Sequence, residues 1–418
     1  MEFMRTGRLL IHLIFLIESA VFLGCSTSGK LARQNIAGFY KPDQKLNGLS
    51  FAVFNLDDSL SSLYFRFPLD KLKYQQITGA SPVARYQLEY QVYDGYEKGV
   101  LIDSGSYHGI DSLLFAGNIE DSLKIRALTG RNYIIYAVLK DLNAQNSYGQ
   151  YINLSKFLHN APADFLLTDI SNKPLMRTYL LRNEKVRIRA RFSQDSVIRL
   201  NHYSFGERET ANAPFTYPAD NLVKMQEPAA ISEIRFLNNT SVPFLFEEEG
   251  VYTDHLTNGR RLVFCRFYDG FPEIGSVVKM REAVRYISTD EEYKKLFTLP
   301  PRAAVDRFWI DLTGNPERAL SQIKRYYRRV EEANKLFSNS VEGWRSDRGM
   351  IYIVFGSPGI VYRNSALEEW TYGEPGNPLS VKFYFHISVN NAGIEDYKVV
   401  RSEDYRRPWH LAVSNWRR

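Results

Sequence analysis

The sequence predicts a mainly β N-terminal part, formed by two tandem Ig-like β-sandwich domains, followed by an α+β C-terminal domain. Two patterns support this fold class. Up to about residue 279, apolar and polar residues alternate in short runs that end in turn residues, as in half-buried antiparallel strands. Beyond that point, apolar residues recur every three or four positions, as on amphipathic helices, before further strand-like runs appear. We therefore place the three domains at residues 46–155, 164–279 and 280–418.

The first 25 residues have the layout of a bacterial export signal. Basic residues precede an apolar run over residues 9–17, which is too short to span a bilayer. Gly24 then precedes Cys25, and this ending resembles the lipobox of bacterial lipoproteins. The resemblance implies that residues 1–24 are removed, that Cys25 carries fatty acyl chains such as palmitate, and that residues 25–45 form a lipidated tether. The alternative is an ordinary cleaved signal with an unmodified Cys25.

The composition is that of an ordinary globular protein, with 24% charged and 44% hydrophobic residues. The net charge of +6 is small for 418 residues and is spread along the chain, so it does not indicate a nucleic-acid partner. Only Cys265 remains after Cys25, which leaves no pair for an internal disulfide. Stability must therefore come from hydrophobic cores of adequate size.

Three runs within residues 46–155 show the strand pattern most clearly. They centre on Phe65, Leu88 and Ile125, whose neighbours two positions away are apolar while the intervening residues are mostly polar. Glycine-containing turns, for example at residues 94–95, separate the runs. Short strands at this spacing are typical of a β-sandwich.

A second strand-rich region follows a linker at residues 159–163. Its clearest strand alternates four apolar residues with four cations, which are Lys185, Arg187, Arg189 and Arg191. We expect this row to be a solvated face or a protected edge, and binding of an anionic partner is the alternative. Further strands are predicted at residues 198–203, 234–237 and 262–268, and residues 207–228 are predicted to be a mobile loop.

Helix signals begin after Met280. Thr289 starts a capping box, which predicts a helix through Leu299, and the Pro300-Pro301 pair opens a second helix that Gly314 ends. A third, longer helix follows the N-cap residue Asn315. Its outer face carries cations that we expect to be solvated, with contact to phosphates or lipid headgroups as the alternative: Lys324, Arg325, Arg328 and Arg329.

The block after this helix carries a family resemblance. It reads Gly343-Trp344-Arg345-Ser346-Asp347-Arg348-Gly349, and an apolar run at residues 350–355, predicted to be a β-strand, comes next. This order resembles the C-terminal domain of the GWxTD-domain proteins, a family of bacterial envelope lipoproteins, over about residues 280–418. Ser346 stands where the family name has threonine, and it keeps the hydroxyl group. The resemblance implies an envelope lipoprotein and brings no biochemical activity with it.

Two interpretations of this block stay open. Paired turn glycines around a buried tryptophan usually mark a packed corner. Alternatively, Trp344 and Trp370 stack on sugar rings, while Asp347 and either Glu368 or Glu369 supply two carboxylates for glycoside cleavage. Glu368 and Glu369 are neighbours on a predicted strand and should face opposite ways. The candidate interaction residues are Gly343, Trp344, Ser346, Asp347, Arg348, Gly349 and Trp370.

No other pattern of catalytic residues is present in the sequence. The seven histidines include no HExxH or paired metal-ligand spacing, and GxSxG, P-loop and dinucleotide motifs are absent. Cys265 alternates with apolar residues, so we expect a buried hydrophobe rather than a nucleophile. We therefore predict no catalytic residue, no metal site and no cofactor.

Together these features predict a non-enzymatic, lipid-anchored cell-envelope protein that acts as a scaffold or accessory subunit of an outer-membrane assembly. Its expected partners are the membrane, through the lipid on Cys25, and other envelope proteins. No acidic cluster follows Cys25, which favours the periplasmic face of the outer membrane. The alternative is a lipoprotein that binds or cleaves a glycan such as peptidoglycan.

Overall fold

Strands dominate the first two thirds of the chain, and helices combine with a small sheet in the rest, which confirms the predicted fold class. Cys25 and the predicted export signal lie outside the residues described. The structure is a computed structural model that describes residues 35–41, 48–76, 81–112, 117–156, 162–191, 196–205, 210–217, 227–254, 262–374, 376–377, 380–389 and 395–417.

The first β part consists of two antiparallel sheets that share a core. Its strands are β1 (Ser50–Asn55), β2 (Leu60–Pro68), β3 (Ala84–Tyr93), β4 (Leu101–Asp111), β5 (Asn118–Arg126), β6 (Asn132–Asp141) and β7 (Asn146–Ser155), with a short helix α1 (Gly95–Lys98) between β3 and β4. The strand order is β1-β2-β5 in one sheet and β4-β3-β6-β7 in the other. Phe65 and Phe67 of β2 pack with Leu88 of β3 in this core, as the alternation predicts.

The second β part is a connected nine-stranded sheet. Its strands are β8 (Phe165–Thr168), β9 (Tyr179–Leu180), β10 (Lys185–Ala190), β11 (Ser196–Ser204), β12 (Ala230–Leu237), β13 (Thr240–Ser241), β14 (Phe244–Leu245), β15 (Gly250–Asp254) and β16 (Val263–Arg266). The order is β14-β10-β13-β12-β11-β15-β16-β9, and β8 pairs with β10. Val186 and Ile188 of β10 are fully buried with Phe236 of β12 in one core.

Two of the four cations in the row that begins on β10 contact the first β part. Arg189 donates to the Tyr64 hydroxyl at 3.3 Å, and its guanidinium lies 4.7 Å from the ring centre of Phe54. Arg191 forms an ion pair with Asp58. Because Tyr64, Phe54 and Asp58 all belong to the first β part, Arg189 and Arg191 lie at an internal interface rather than on the solvated face that the sequence led us to expect, whereas Lys185 is exposed as expected.

The C-terminal part packs six helices with a four-stranded antiparallel sheet. The helices are α2 (Val277–Ala283), α3 (Asp290–Leu296), α4 (Pro301–Thr313), α5 (Pro316–Phe337), α6 (Asp347–Phe355) and α7 (Arg406–Trp416). The sheet has the order β17 (Ile360–Arg363), β18 (Leu367–Tyr372), β19 (Val381–Val389) and β20 (Glu395–Val399). The predicted capping box at Thr289 is present, and Asn315 accepts from the Glu317 amide at 2.8 Å.

The apolar run at residues 350–355 is helical, so the predicted strand is wrong. It forms most of α6, whose N-cap Ser346 accepts from the Gly349 amide at 3.1 Å. Residues 350–354 are all buried, and the sequence therefore shows neither strand alternation nor a polar helix face. In such a run periodicity does not distinguish the two structures, and the cap residue decides.

Residues 35–41 pack inside the C-terminal part, although the sequence predicted a tether there. Ile36 and the 3-10 turn Ala37–Tyr40 enter its hydrophobic core. The Ile36 amide donates to the Val361 carbonyl at 2.9 Å, and the Val361 amide donates to Asn35 Oδ1 at 2.9 Å. This segment, which we call the N-terminal clasp, therefore covers the free edge of β17.

Residues 210–217 lie within the predicted mobile loop and have no regular structure, but they are held by several hydrogen bonds. The Ala211 amide donates to the Arg345 carbonyl at 3.0 Å, and Arg401 donates to the Ala213 carbonyl at 2.8 Å. The Ser402 amide donates to the Pro214 carbonyl at 3.1 Å. We call this segment the docked loop, because it joins the second β part to the C-terminal part.

Candidate functional site

The motif residues form a tight corner between α5 and α6. A Cβ atom on Gly343 would lie 2.0 Å from the Ala333 carbonyl oxygen, and one on Gly349 would lie 1.9 Å from the Gly343 oxygen. Both distances are far below van der Waals contact with main-chain atoms. The two glycines therefore allow the turn to touch both helices, and the motif spacing follows from this close approach.

Substitution of Gly349 by alanine is expected to lower the free energy of unfolding by about 3 kcal/mol, at the upper end for overpacking, because the clashing atom belongs to the main chain. Gly275→Ala is the matched control, since no atom lies within 4 Å of its Cβ position. Urea unfolding followed by tryptophan fluorescence measures both variants. Equal midpoints for the two variants would show that the corner is not as tight as described.

Trp344 is fully buried beneath this corner. Its amide donates to Asn334 Oδ1 at 3.2 Å, and its carbonyl accepts from the Tyr286 hydroxyl at 2.8 Å. The Arg345 guanidinium lies 4.3 Å from the ring centre and also forms an ion pair with Glu282. The indole ring therefore has no face open to a ligand.

Asp347 joins α6 to the last strand of the sheet. One carboxylate oxygen accepts from the Val399 amide at 2.9 Å, and the other pairs with Arg401 at 2.6 Å. Burial raises the pKa of Asp347, although the charge of Arg401 opposes that shift. Since Arg401 also holds the docked loop, this carboxylate connects the helix, the sheet and the loop.

A second set of charges surrounds Glu368, which is fully buried on β18. Trp370 Nε1 donates to its carboxylate at 2.7 Å, and the Tyr40 hydroxyl of the clasp lies 3.1 Å from each oxygen. The guanidinium groups of Arg348 and Arg363 approach it to 3.7 and 4.0 Å. We call these five residues the Glu368 cluster. Burial, reinforced by the Glu368 charge, raises the pKa of Tyr40 well above its ordinary value, so its phenol is neutral at physiological pH.

The Glu368 cluster extends toward the first β part through Glu395. Arg363 pairs with Glu395 at 2.9 Å, and Asn153 of β7 donates to the same carboxylate at 3.1 Å. The Tyr96 hydroxyl donates to Asn153 Oδ1 at 3.1 Å, and its ring lies under the Arg363 guanidinium at 4.7 Å. Tyr397 also donates to Glu395, at 2.8 Å. The network thus joins the clasp, the first β part and the C-terminal sheet.

The structure brings some of the predicted site residues together and separates others. Arg348 and Trp370 meet in the Glu368 cluster, whereas Trp344 and Asp347 lie in separate contacts at the corner. Trp370 is fully buried, as is Trp344, so neither indole offers a stacking surface for a sugar. Glu369 faces away from Glu368, as predicted, and pairs with Lys382 at 2.7 Å.

Sequence reasoning missed most partners in these networks, among them Tyr40, Arg363 and Arg401. Tyr40 has a local signal, because Ile36, Ala37, Phe39 and Tyr40 form an apolar group within the segment predicted as a tether. The two arginines have no such signal, since their partners are distant in the sequence.

Other candidate chemistry is limited in the described parts of the chain. They contain no group of three or more His, Cys, Asp or Glu side chains placed to hold a metal ion. Cys265 is buried, and its Sγ donates to the Asn339 carbonyl at 3.2 Å. None of the helices described there combines the length and the apolar character needed to cross a membrane.

Comparison with solved structures finds only low similarity. A Bacteroides uniformis β-glucuronidase 2, covalently bound to cyclophellitol-6-carboxylate aziridine, has 14% identity and a TM-score of 0.19, with coverage of 32% of this chain and 15% of the enzyme. A second Bacteroides uniformis β-glucuronidase structure has 13% identity and a TM-score of 0.20, with coverage of 33% of this chain and 16% of the enzyme. Red sea bream transglutaminase has 6% identity and a TM-score of 0.20, with coverage of 53% of this chain and 31% of the transglutaminase. Scores this low support no inference about this protein.

A comparison with curated proteins finds no match. A family model does match: the GWxTD domain, over residues 250–418. The match contains the corner, the Glu368 cluster except for Tyr40, and the strands β15 and β16 that precede the helices. The resemblance carried by residues 343–349 is thereby confirmed, and residues 250–418 of this protein form a GWxTD domain.

Proposed function

We propose that this protein is a lipid-anchored, non-enzymatic component of the bacterial cell envelope. It serves as a scaffold or accessory subunit of an outer-membrane assembly and faces the periplasm. The lipobox-like sequence at Cys25 supports the anchor, and the missing acidic cluster after Cys25 supports the periplasmic side. The GWxTD domain agrees with this proposal, since the family resemblance implies an envelope lipoprotein.

The main support for a non-enzymatic role is how the motif uses its chemical groups. Asp347 and Glu368, the two buried carboxylates considered for catalysis, have only 5% and 0% of their surface exposed. Each is engaged by arginine and by a further donor, as described above. Groups held in this way organise packing and present no reacting atom to a substrate.

The way in which the three parts are interlocked suits a scaffold. The docked loop fastens the second β part to the C-terminal part, and the clasp enters the same C-terminal part from the N-terminus. Arg189 and Arg191 fasten the two β parts to each other. A body joined at several points keeps its exposed surfaces in a fixed arrangement, which favours the simultaneous binding of more than one partner.

A glycan-binding or glycan-cleaving role, the alternative that the sequence left open, is not supported by this geometry. Such a site needs exposed aromatic faces and a pair of accessible carboxylates. Both tryptophans considered for it are buried, and the carboxylates are engaged in ion pairs.

Mild cross-linking in intact cells, followed by purification through a C-terminal tag, tests the proposal. We expect defined envelope proteins to co-purify with the wild type. Gly349→Ala, which disturbs the corner, should reduce their recovery, whereas Gly275→Ala should not. Recovery of the wild type alone, as a monomer from native membranes, would overturn the scaffold role. Specific binding to purified sacculi would favour the glycan role instead.

A further inference from the structure

The clasp determines which part of the protein lies next to the lipid anchor. Cys25 is followed by the first β part in the sequence, so a simple tether would place that part nearest to the membrane. Instead, the clasp enters the GWxTD domain before the chain reaches β1. Ile36, Ala37 and Tyr40 are all at least nine-tenths buried there. A lipid on Cys25 is therefore connected first to the C-terminal domain.

The length of chain between anchor and clasp limits the distance from the membrane. Asn35 is ten residues from Cys25, and ten fully extended residues span at most about 35 Å. Asn35 Nδ2 donates to the Gly359 carbonyl at 3.4 Å, and Ser357 donates to the Tyr40 carbonyl at 2.7 Å. The anchor thus leaves the domain beside the turn at residues 356–359, which follows α6.

A cationic face of α5 lies next to this point. Arg329 donates to the Ile353 carbonyl at 3.0 Å, at the end of α6 that leads into the turn. Arg325 lies one helical turn before Arg329 and shares its side of α5, whereas Lys324 and Arg328, which are four residues apart, share the adjoining side. All three of these cations are exposed. We call these three residues the basic face. A Cβ atom on Gly356, the first residue of the turn, would lie 3.0 Å from the Arg329 guanidinium, so α5 passes directly beside the anchor exit.

The basic face keeps positive charge available to a partner. Among the described residues, neither Lys324 nor Arg325 forms an ion pair with a carboxylate, and Arg325 lies over the Trp416 ring at 4.7 Å. Glu332 pairs with Arg328 at 3.7 Å but also accepts from Tyr352 at 2.9 Å within the protein. Residues 26–34 add two further cations, Lys30 and Arg33, and no acidic residue.

We infer that the clasp holds the GWxTD domain against the membrane, with Lys324, Arg325 and Arg328 in contact with anionic lipid headgroups. This inference rests on the proposed lipidation of Cys25. Cationic side chains near an anionic bilayer are attracted to it within a Debye length, and this attraction sets the orientation of an anchored domain. The first β part then points away from the membrane, toward partners in the periplasm.

Orientation is tested on the full lipidated protein in vesicles. Single cysteines replace two exposed serines, Ser321→Cys on α5 and Ser106→Cys on β4, and each is labelled with a fluorophore. Headgroup spin-labelled lipid should quench the label at 321 several-fold more strongly than the label at 106. Stronger or equal quenching at 106 would overturn the orientation. Fatty-acid labelling of the same samples reports lipidation separately, so that failure of the anchor is not confused with failure of the orientation.

Headgroup contact is tested on residues 26–418, which contain every described residue and no lipid. At low salt this chain should float with phosphatidylglycerol vesicles and not with phosphatidylcholine vesicles. Replacement of Lys324, Arg325 and Arg328 by glutamine should weaken this binding roughly 100-fold, given about fivefold for each cation at an anionic surface. The control replaces three exposed cations of the β parts by glutamine: Lys124, Lys185 and Arg235.

Equal binding by the α5 variant and the wild type, or an equal loss in the control, would overturn the role of the basic face. Absence of wild-type binding to phosphatidylglycerol would leave the basic face as an ordinary solvated helix surface and would overturn the inference as well. Far-UV circular dichroism and the unfolding midpoint confirm that both variants fold.

Discussion

Replacement of Cys25 by serine is expected to release the protein from the membrane fraction and to abolish its labelling by a fatty-acid analogue. Serine removes the thiol that we propose as the lipid acceptor and leaves the apolar run at residues 9–17 unchanged. Each buried CH₂ group of an acyl chain contributes about 0.8 kcal/mol to membrane binding. Loss of the acyl chains therefore removes far more binding free energy than the basic face supplies.

Cell fractionation with and without detergent measures this release. The folded domains serve as the internal control, because none of the described cores contains Cys25, and the unfolding midpoint of the released protein should equal that of the wild type. A wild type that takes up no label would contradict the lipoprotein assignment. A Cys25→Ser variant that is fully processed and stays firmly bound to the membrane would also contradict this assignment.

Glu368→Gln is expected to lower the free energy of unfolding by about 3–5 kcal/mol, the usual cost of removing one partner from a buried ion pair. Glutamine keeps an oxygen that accepts from Trp370, but it removes the charge that faces Arg348 and Arg363. The Arg348 guanidinium then has no carboxylate near it among the described residues. Urea unfolding of the purified protein measures the effect.

The neighbouring Glu369→Gln is the matched control for this prediction. Glu369 forms an ion pair with Lys382, whose side chain is half exposed, and such pairs contribute at most about 1 kcal/mol. The two variants thus make the same chemical change one residue apart, on opposite faces of β18. Equal midpoints would show that the Glu368 cluster contributes no net stability.

Local signals in the sequence predicted much of the fold. Three helix-end signals each act within a few residues, so they can be predicted without the rest of the chain. They are the Thr289 capping box, the Asn315 cap and the left-handed Gly314 that ends α4. The same holds for β2 and β3, whose alternation directly reports which face is buried.

What the sequence did not predict depends on distant contacts. Residues 350–354 are buried on every side, so their pattern is equally compatible with a strand or a helix. Glu368 was considered for catalysis, but its burial among Tyr40, Arg348 and Arg363 follows from how separate elements pack. No periodicity within β18 encodes partners that come from the N-terminus and from α6.

The clasp also has a consequence for how the chain folds. It joins Asn35 to Val361, which are 326 positions apart. Contacts of such high sequence separation form late and slowly, because a very long loop must close first. During synthesis the clasp is made near the beginning of the chain, and β17, the strand that it covers, is made near the end. The GWxTD core can therefore be completed only after almost the whole polypeptide has been made, and until then the apolar residues of the clasp stay exposed to other chains and to chaperones.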